Sequence, residues 1–325
     1  MRTTEGKLAA VFAAVVLVVA LVVASGAATS SAAGATGSGA HLVKATVSDC
    51  TSSNESTSGI NTSEVLLEAL SFVEGNPFFM NPRETLTSPY RFALPTDSYI
   101  EKAEWTYDDA GRVATCTYFK STNPLSYAKF SYDSHASVSK VVGWNYADDG
   151  AGTSVRGDFE ASFVNEALSS SAYGANKVTV VHGSGEGNDT VVFTYDKDKN
   201  LTEISSTGSH EFKLTYTYVT AFKVVKDVKV SVDGADEGVY LVPTYDASNK
   251  LVSLKTGTWS GENTTLSGDE YLVQYSGGKV SKVDYYQDDV QVRYSQFSYT
   301  DGNLTSVRTY KKGGEQLYNV SLSWK

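Results

Sequence analysis

A short unit of aromatic, acidic and small residues recurs along most of this chain. Its clearest copies span residues 105–113 and 193–201, where an aromatic residue and Tyr-Asp lead through turn-forming residues to Val or Leu. Asp, Asn and Gly tolerate the positive φ angles of tight turns, so each copy predicts one β-hairpin. Further copies are centred on the following tyrosines: Tyr132, Tyr245, Tyr275 and Tyr299.

Between these turns, apolar and polar residues alternate with a period of two. Phe212, Leu214 and Tyr216 alternate with Lys213 and Thr215, which predicts a strand with one buried and one wet face. A copy every 22–30 residues or so predicts about eight hairpins and about sixteen short strands. The predicted fold class is therefore all-β, an antiparallel meander of Tyr-Asp hairpins. The sheet either curls or closes into a barrel-like form, because a flat sheet would expose its apolar face.

The chain divides into four predicted segments. Residues 1–24 carry Arg2 and Lys7 before an apolar run and small residues, as in a secretory signal peptide or an uncleaved membrane anchor. Residues 25–60 are rich in Ala, Gly, Ser and Thr and are predicted to form a linker. Residues 61–98 form a helix and connector, and residues 99–325 form the hairpin-repeat domain.

The one short helix is predicted by its start signal and its spacing. Asn61 can cap the helix and Glu64 lies three residues later, as in a capping box. The apolar residues that follow have helical spacing, and Pro77 comes just after the predicted end. We expect this helix to pack on the sheet and to cover one of its edges or ends.

Charge and cysteine content narrow the classes of partner and compartment. The net charge of −10 argues against nucleic acid, because phosphates require clustered Lys and Arg. In an oxidising compartment the two cysteines, Cys50 and Cys116, can form a disulfide that fixes the N-terminal arm to the sheet; two unpaired thiols are the alternative.

Aromatic side chains are the best candidates for a binding surface. A platform of Trp and Tyr rings can stack on sugar rings or on a partner protein, although most rings in such a fold pack the core. The predicted ligand-binding residues are Trp144, Trp259, Tyr285 and Tyr286. We also expect function to lie where the repeat is interrupted, around residues 141–172 and 256–270.

No motif predicts catalysis, a metal site or a cofactor. The four histidines are scattered, and residues 196–200 resemble a calcium loop but have Leu201 where the loop requires Gly. Three pairs of adjacent aspartates fall in predicted turns, where Asp is favoured for its backbone hydrogen bonds. These pairs are Asp108-Asp109, Asp148-Asp149 and Asp288-Asp289.

The repeat resembles the YD repeat of bacterial Rhs-type proteins and of small secreted or surface β-repeat proteins. The match is carried by residues 105–113 and 193–201 and extends over roughly residues 100–325. In the Rhs family such repeats form a shell around a toxic domain. This chain has too few repeats for that role, and it ends on a strand, so we do not expect a toxin shell.

The predicted function is a non-enzymatic secreted or cell-surface module that binds a glycan or a protein. A membrane contact is expected only through an uncleaved N-terminal segment. One alternative is a secreted hydrolase that uses turn carboxylates. Another is an outer-membrane β-barrel, although the predicted strands of about 5 to 8 residues are shorter than membrane strands.

Overall fold

Eighteen strands and one helix account for most of the chain that the structure describes. A computed structural model describes residues 40–50, 62–73, 77–80, 99–132, 138–146, 155–164, 176–182, 188–196, 198, 200–208, 211–219 and 224–325. The predicted signal segment, residues 1–24, lies outside this part of the chain, as do most of the linker and most of the connector.

The strands are numbered in chain order. They are β1 Leu42–Asp49, β2 Lys102–Tyr107, β3 Val113–Lys120, β4 Asn123–Tyr132, β5 Val138–Tyr146, β6 Val155–Val164, β7 Asn176–His182, β8 Asn188–Tyr195, β9 Leu201–Thr207, β10 Phe212–Val219, β11 Val224–Val232, β12 Glu237–Tyr245, β13 Leu251–Ser260, β14 Asn263–Ser276, β15 Lys279–Gln287, β16 Val290–Thr300, β17 Asn303–Lys311 and β18 Gln316–Trp324. The helix, α1, is Thr62–Val73, and a 3-10 turn follows at Pro77–Phe79.

The strands form one antiparallel meander, as the sequence predicts. Each strand from β2 to β17 pairs with the next one along the chain, and β1 pairs with both β18 and β2. The pairings therefore return to the strand from which they start. This arrangement leaves no unpaired edge strand among the described strands, which removes a common site of aggregation.

The predicted linker over residues 25–60 is wrong for β1. Residues 42–49 form a strand between β18 and β2, with Leu42, Ala45 and Val47 buried and with Lys44 and Thr46 on the other side. The same alternation that predicts the other strands is present here. The Ala, Gly, Ser and Thr residues on both sides of the segment make the strand hard to recognise from composition.

The predicted helix is confirmed, but its burial is deeper than that of an edge cover. Ten of its twelve residues are buried, including Leu66, Leu67 and Leu70. Phe72 contacts Phe297 of β16, with ring centroids 4.5 Å apart, and the helix also packs on β1, β17 and β18. We call the side of the sheet that faces α1 the inner face and the opposite side the outer face.

Strand alternation assigns side chains to the two faces. On β18, Tyr318, Val320 and Leu322 are buried, whereas Asn319 and Ser321 face the other side. The same holds for β10, where Phe212, Leu214 and Tyr216 are buried and Lys213 and Thr217 are exposed. Burial of the inner face is the main source of stability, at roughly 25 cal/mol for each Å² of apolar surface removed from water.

The tyrosine of the repeat joins successive hairpins. Its hydroxyl donates to the carbonyl oxygen at the start of the preceding strand, as from Tyr132 to Val113 at 2.7 Å and from Tyr275 to Leu251 at 2.9 Å. Burial raises the pKa of Tyr275 to about 12, so the phenol remains a neutral donor. Equivalent bonds run from Tyr107 to Leu42, from Tyr218 to Leu201 and, with an indole N–H, from Trp324 to Leu304.

The aspartate of the repeat closes the turn. Asp246 Oδ1 accepts hydrogen bonds from the N–H groups of Ser248 at 2.8 Å and Lys250 at 2.9 Å. Asp196 makes the same pair of bonds to Asp198 and Asn200. The Asp196 carboxylate of the calcium-like spacing therefore accepts backbone N–H groups, as an aspartate in a turn does.

A basic residue of the repeat covers the next tyrosine. The Arg112 guanidinium lies 4.4 Å from the ring centroid of Tyr132, and Lys250 Nζ lies 5.2 Å from that of Tyr275. Each of these residues directly precedes the carbonyl that the tyrosine hydroxyl contacts. Turn, ring and backbone acceptor thus form one repeated structural unit, and every part of it has a role in the scaffold.

Of the two alternatives for the cysteines, the structure does not form the Cys50–Cys116 disulfide. The Cys50 thiol is exposed, whereas Cys116 is fully buried. The Cys50 amide donates to the Leu317 carbonyl of β18, whereas Cys116 lies on the inner side of β3, opposite Trp105. Burial raises the pKa of the Cys116 thiol to about 12, which suits a packing residue rather than a reactive one.

Candidate binding face on strands β14–β18

One strand, β16, shows how the two faces differ. Ser295 and Phe297 are buried on the inner face, while Gln296 and Ser298 between and beyond them are exposed on the outer face. By the same alternation, Tyr294 belongs to the outer face. It leads to a group of polar and aromatic side chains that continues across the neighbouring strands.

A row of outer-face residues crosses five strands. The register places Leu272 of β14 opposite Asp284 of β15, and Asp284 opposite Tyr294 of β16. The row continues to Tyr310 of β17 and Gln316 of β18. Adjacent strands lie about 4.8 Å apart, so the row is about 19 Å long.

Asp284 is the centre of a hydrogen-bond network on this row. Its side chain is almost fully enclosed, with a residue exposure of 3%. One carboxylate oxygen accepts from Gln274 Nε2 at 2.8 Å; the other accepts a short hydrogen bond from Gln291 and forms an ion pair with Lys282 Nζ at 2.6 Å. The carboxylate therefore holds three surface side chains in fixed positions.

Two tyrosines adjoin this network. The rings of Tyr294 and Tyr310 are stacked, with centroids 5.0 Å apart and planes inclined by 17°. Lys282 Nζ lies 4.9 Å from the Tyr294 ring centroid, on the network side of the pair. Tyr286 belongs to the same face and lies opposite Gln291. We use the name tyrosine–amide face for the following residues: Gln274, Lys282, Asp284, Tyr286, Gln291, Tyr294 and Tyr310.

The inner face behind it carries charge as well. Burial raises the pKa of Glu68 on α1, against the opposing effects of the Arg293 charge and of a hydrogen bond with Ser295. Burial disfavours the charge of Arg293, but Tyr271, Glu68 and Tyr285 outweigh that effect and raise its pKa. This cluster joins α1 to β14, β15 and β16, so it fixes the scaffold behind the tyrosine–amide face.

The four predicted ligand-binding residues are not brought together. Tyr286 lies in the tyrosine–amide face, but Tyr285 turns inward and packs 4.8 Å from Tyr271 and under Arg293. Trp259 of β13 donates from Nε1 to the Val230 carbonyl at 3.1 Å, with Lys229 over its ring. The indole of Trp259 therefore links β13 to β11 across the intervening strand β12.

Trp144 belongs to a separate aromatic pair. It stacks on Tyr127 across β4 and β5, with ring centroids 4.1 Å apart and planes inclined by 24°. Tyr294, which is not among the predicted ligand-binding residues, stacks on Tyr310 in a different part of the sheet. Its signal is the alternation along β16, which separates it from the inward Ser295 and Phe297.

The turn carboxylates have structural partners. Asp108 accepts from the N–H of Ala110 and Arg112 and forms an ion pair with the Arg112 guanidinium at 2.7 Å, and these contacts hold its pKa below the ordinary value. Asp288 and Asp289 form the β15–β16 turn, where both have positive φ and the Asp289 amide donates to Gly268. Asp148-Asp149 lies outside the described residues.

Two further findings concern the part of the chain that the structure describes. It contains no cluster of His, Cys, Asp and Glu with the geometry of a metal site. It also contains no helix long and apolar enough to cross a membrane.

Comparison with known proteins yields no family. No family model matches the chain, and no curated protein matches it. Among solved structures, a porin-like protein from Bacteroides uniformis is similar at 10% identity and a TM-score of 0.40, over 69% of this chain and 95% of that one. A porin-like protein from Bacteroides vulgatus gives 10% identity and a TM-score of 0.25, over 69% and 93%. Both TM-scores are low.

Proposed function

We propose that the protein is a non-enzymatic binding module that acts outside the cytoplasm and binds its ligand on the tyrosine–amide face. The observation that carries the proposal is the Asp284 network beside the Tyr294–Tyr310 pair. A surface whose polar groups are already held in place loses less conformational entropy when it binds. Because such order is costly to build on an outer face, a ligand is its best explanation.

The outer face also favours contact with water over contact with lipid. It carries ion pairs on widely separated strands, such as Lys140–Glu160 at 2.7 Å and Lys213–Glu203 at 2.7 Å. A membrane-spanning sheet requires an apolar outer band, and charged groups in that band are destabilising. These pairs therefore support a secreted or surface-tethered module over the outer-membrane alternative.

The hydrolase alternative has less support. Hydrolysis by two carboxylates needs a pair that faces one substrate, with one member held protonated. Asp108 is instead engaged by Arg112 and by backbone donors, with its pKa lowered. The carboxylate of Asp284 is enclosed by the side chains that it orders.

Binding of the full chain to an array of glycans and surface proteins tests the proposal. We expect a ligand whose binding is lost in the double variant Tyr294→Ala/Tyr310→Ala and kept in the matched control Tyr127→Ala. Binding that survives the double variant would contradict the assignment of the face. Turnover of the ligand that is abolished by Asp288→Asn/Asp289→Asn would instead establish the hydrolase.

A further inference from the structure

We infer that the ligand of the tyrosine–amide face is an internal stretch of an uncharged polysaccharide. This inference rests on the proposed function and adds the chemical class of the ligand. It is drawn from the charge, the composition and the shape of the face, which are considered in turn.

The charges of the face are satisfied internally. The Asp284 carboxylate is enclosed and forms an ion pair with Lys282, and Glu270 at the margin lies 4.0 Å from Lys255. Arg308, two residues before Tyr310 on β17 and opposite Gln296 and Asn319, is exposed. One marginal cation is too few for an anionic polymer, and the net charge of −10 repels such a ligand. The one carboxylate within the row, that of Asp284, is enclosed, so a cationic ligand would lack a partner there.

The groups that remain for contact suit hydroxyl groups. Side-chain amides such as those of Gln274, Gln291 and Gln296 offer both donors and acceptors, which matches the hydroxyl group of a sugar. Tyrosine adds an aromatic surface and a hydroxyl at its tip. Protein interfaces have an apolar core instead. The large exposed aliphatic side chains of the described chain lie at or near strand ends, at Val219, Val232, Leu266 and Val290.

The shape selects a polymer rather than a single sugar. The row crosses five strands and is about 19 Å long, several times the width of one pyranose ring. It lies on the face of a sheet, so it can contact a chain along its length without enclosing an end. We therefore expect recognition of internal residues and little affinity for monosaccharides.

Native affinity electrophoresis of the full chain tests this class of ligand. The gels contain one of three neutral polysaccharides (hydroxyethylcellulose, laminarin or dextran) or one of two anionic ones (polygalacturonate or heparin). We expect at least one neutral polymer to retard the chain, Tyr294→Ala/Tyr310→Ala to reduce the affinity at least tenfold, and Tyr127→Ala to leave it unchanged. Glucose at millimolar concentration should not compete.

The outcomes distinguish a wrong ligand class from a wrong proposed function. If only the anionic polymers retard the chain and the double variant abolishes that retardation, the face binds a ligand but the inference of a neutral polymer is wrong. Retardation by none of the five polymers overturns the inference, while a protein ligand lost in the double variant would preserve the proposed function. If a neutral polymer binds the double variant as well as the native chain, both the inference and the assigned face are wrong.

Discussion

The inner and outer faces of β14–β18 are built from the same strands and serve different purposes. On the inner face, Phe297 packs against Phe72 of α1, and Arg293 lies among Glu68, Tyr271 and Tyr285. On the outer face, Tyr294 stacks on Tyr310 beside a network centred on Asp284. Both faces contain an ordered polar group, but only the outer one has no element of the described chain packed over it.

The difference between the two faces indicates when an ordered polar network in a β-repeat protein points to function. The inner cluster connects α1 to three strands, so its role in stability explains it fully. The Asp284 network connects neighbouring strands that the backbone ladder already joins. Its contribution to stability is therefore redundant, whereas its effect on the presentation of Gln274, Gln291 and Lys282 is specific.

Loss of an inner aromatic ring gives the largest expected effect. Phe297→Ala removes the contact with Phe72 and leaves a cavity, so we expect a loss of about 3–5 kcal/mol in the free energy of unfolding. Ser298→Ala, one residue further on the exposed outer face, should change that free energy by less than about 0.5 kcal/mol. Urea denaturation measures both. Similar losses in the two variants would mean that side chains of the two faces contribute equally to the free energy of unfolding.

The inner cluster should give a characteristic pH dependence. The folded-state pKa of Glu68 is raised above the ordinary value of 4.5, so the folded protein holds this proton more tightly than the unfolded chain. The contribution of Glu68 to stability is therefore fully present below pH 4.5 and is lost as pH rises through the folded-state pKa.

Glu68→Gln isolates that contribution. The variant cannot titrate at this position, so the difference in unfolding free energy between the native chain and the variant should shift in favour of the variant as pH rises. Denaturation across pH 4–8 measures this difference. Parallel stability profiles for the two chains would show that the environment of Glu68 does not favour its protonated form.

Loss of one inter-hairpin hydrogen bond should have a smaller effect. Tyr275→Phe removes the hydroxyl that donates to the Leu251 carbonyl, and we expect a loss of about 1 kcal/mol. Tyr310→Phe removes a hydroxyl from the outer face and should leave the thermal midpoint nearly unchanged. A larger loss at Tyr310 than at Tyr275 would reverse the roles assigned to the two tyrosines.

The sequence predicts the scaffold well because the scaffold is local. Alternation along β10 and β18 identifies the buried side chains, and the Tyr-Asp unit identifies the turns. The position of β1 is not predicted, since its partners β18 and β2 are distant in sequence. Depth of burial of α1 is missed for the same reason, because it depends on how the pairings return to β1.

The candidate site is predicted less well. Tyr286 lies in the candidate face, but Tyr285 and Trp259 have scaffold contacts that single-sequence reasoning cannot see. The tyrosine–amide face depends on cross-strand register, which places Asp284 between Leu272 and Tyr294. It lies mainly on regular strands and not in the interruptions at 141–172 and 256–270. Much of the first interruption lies outside the described residues, so that prediction stays open.

Oxidative footprinting of tyrosine side chains with a bound ligand tests the central claim most directly. The full chain is labelled alone and with the polymer or protein that binds it, and modification is quantified at each tyrosine. We predict that the ligand protects Tyr286, Tyr294 and Tyr310 while leaving the modification of Tyr127 unchanged. Protection at Tyr127 with none at Tyr294 and Tyr310 would contradict the assignment of β14–β18 as the binding face.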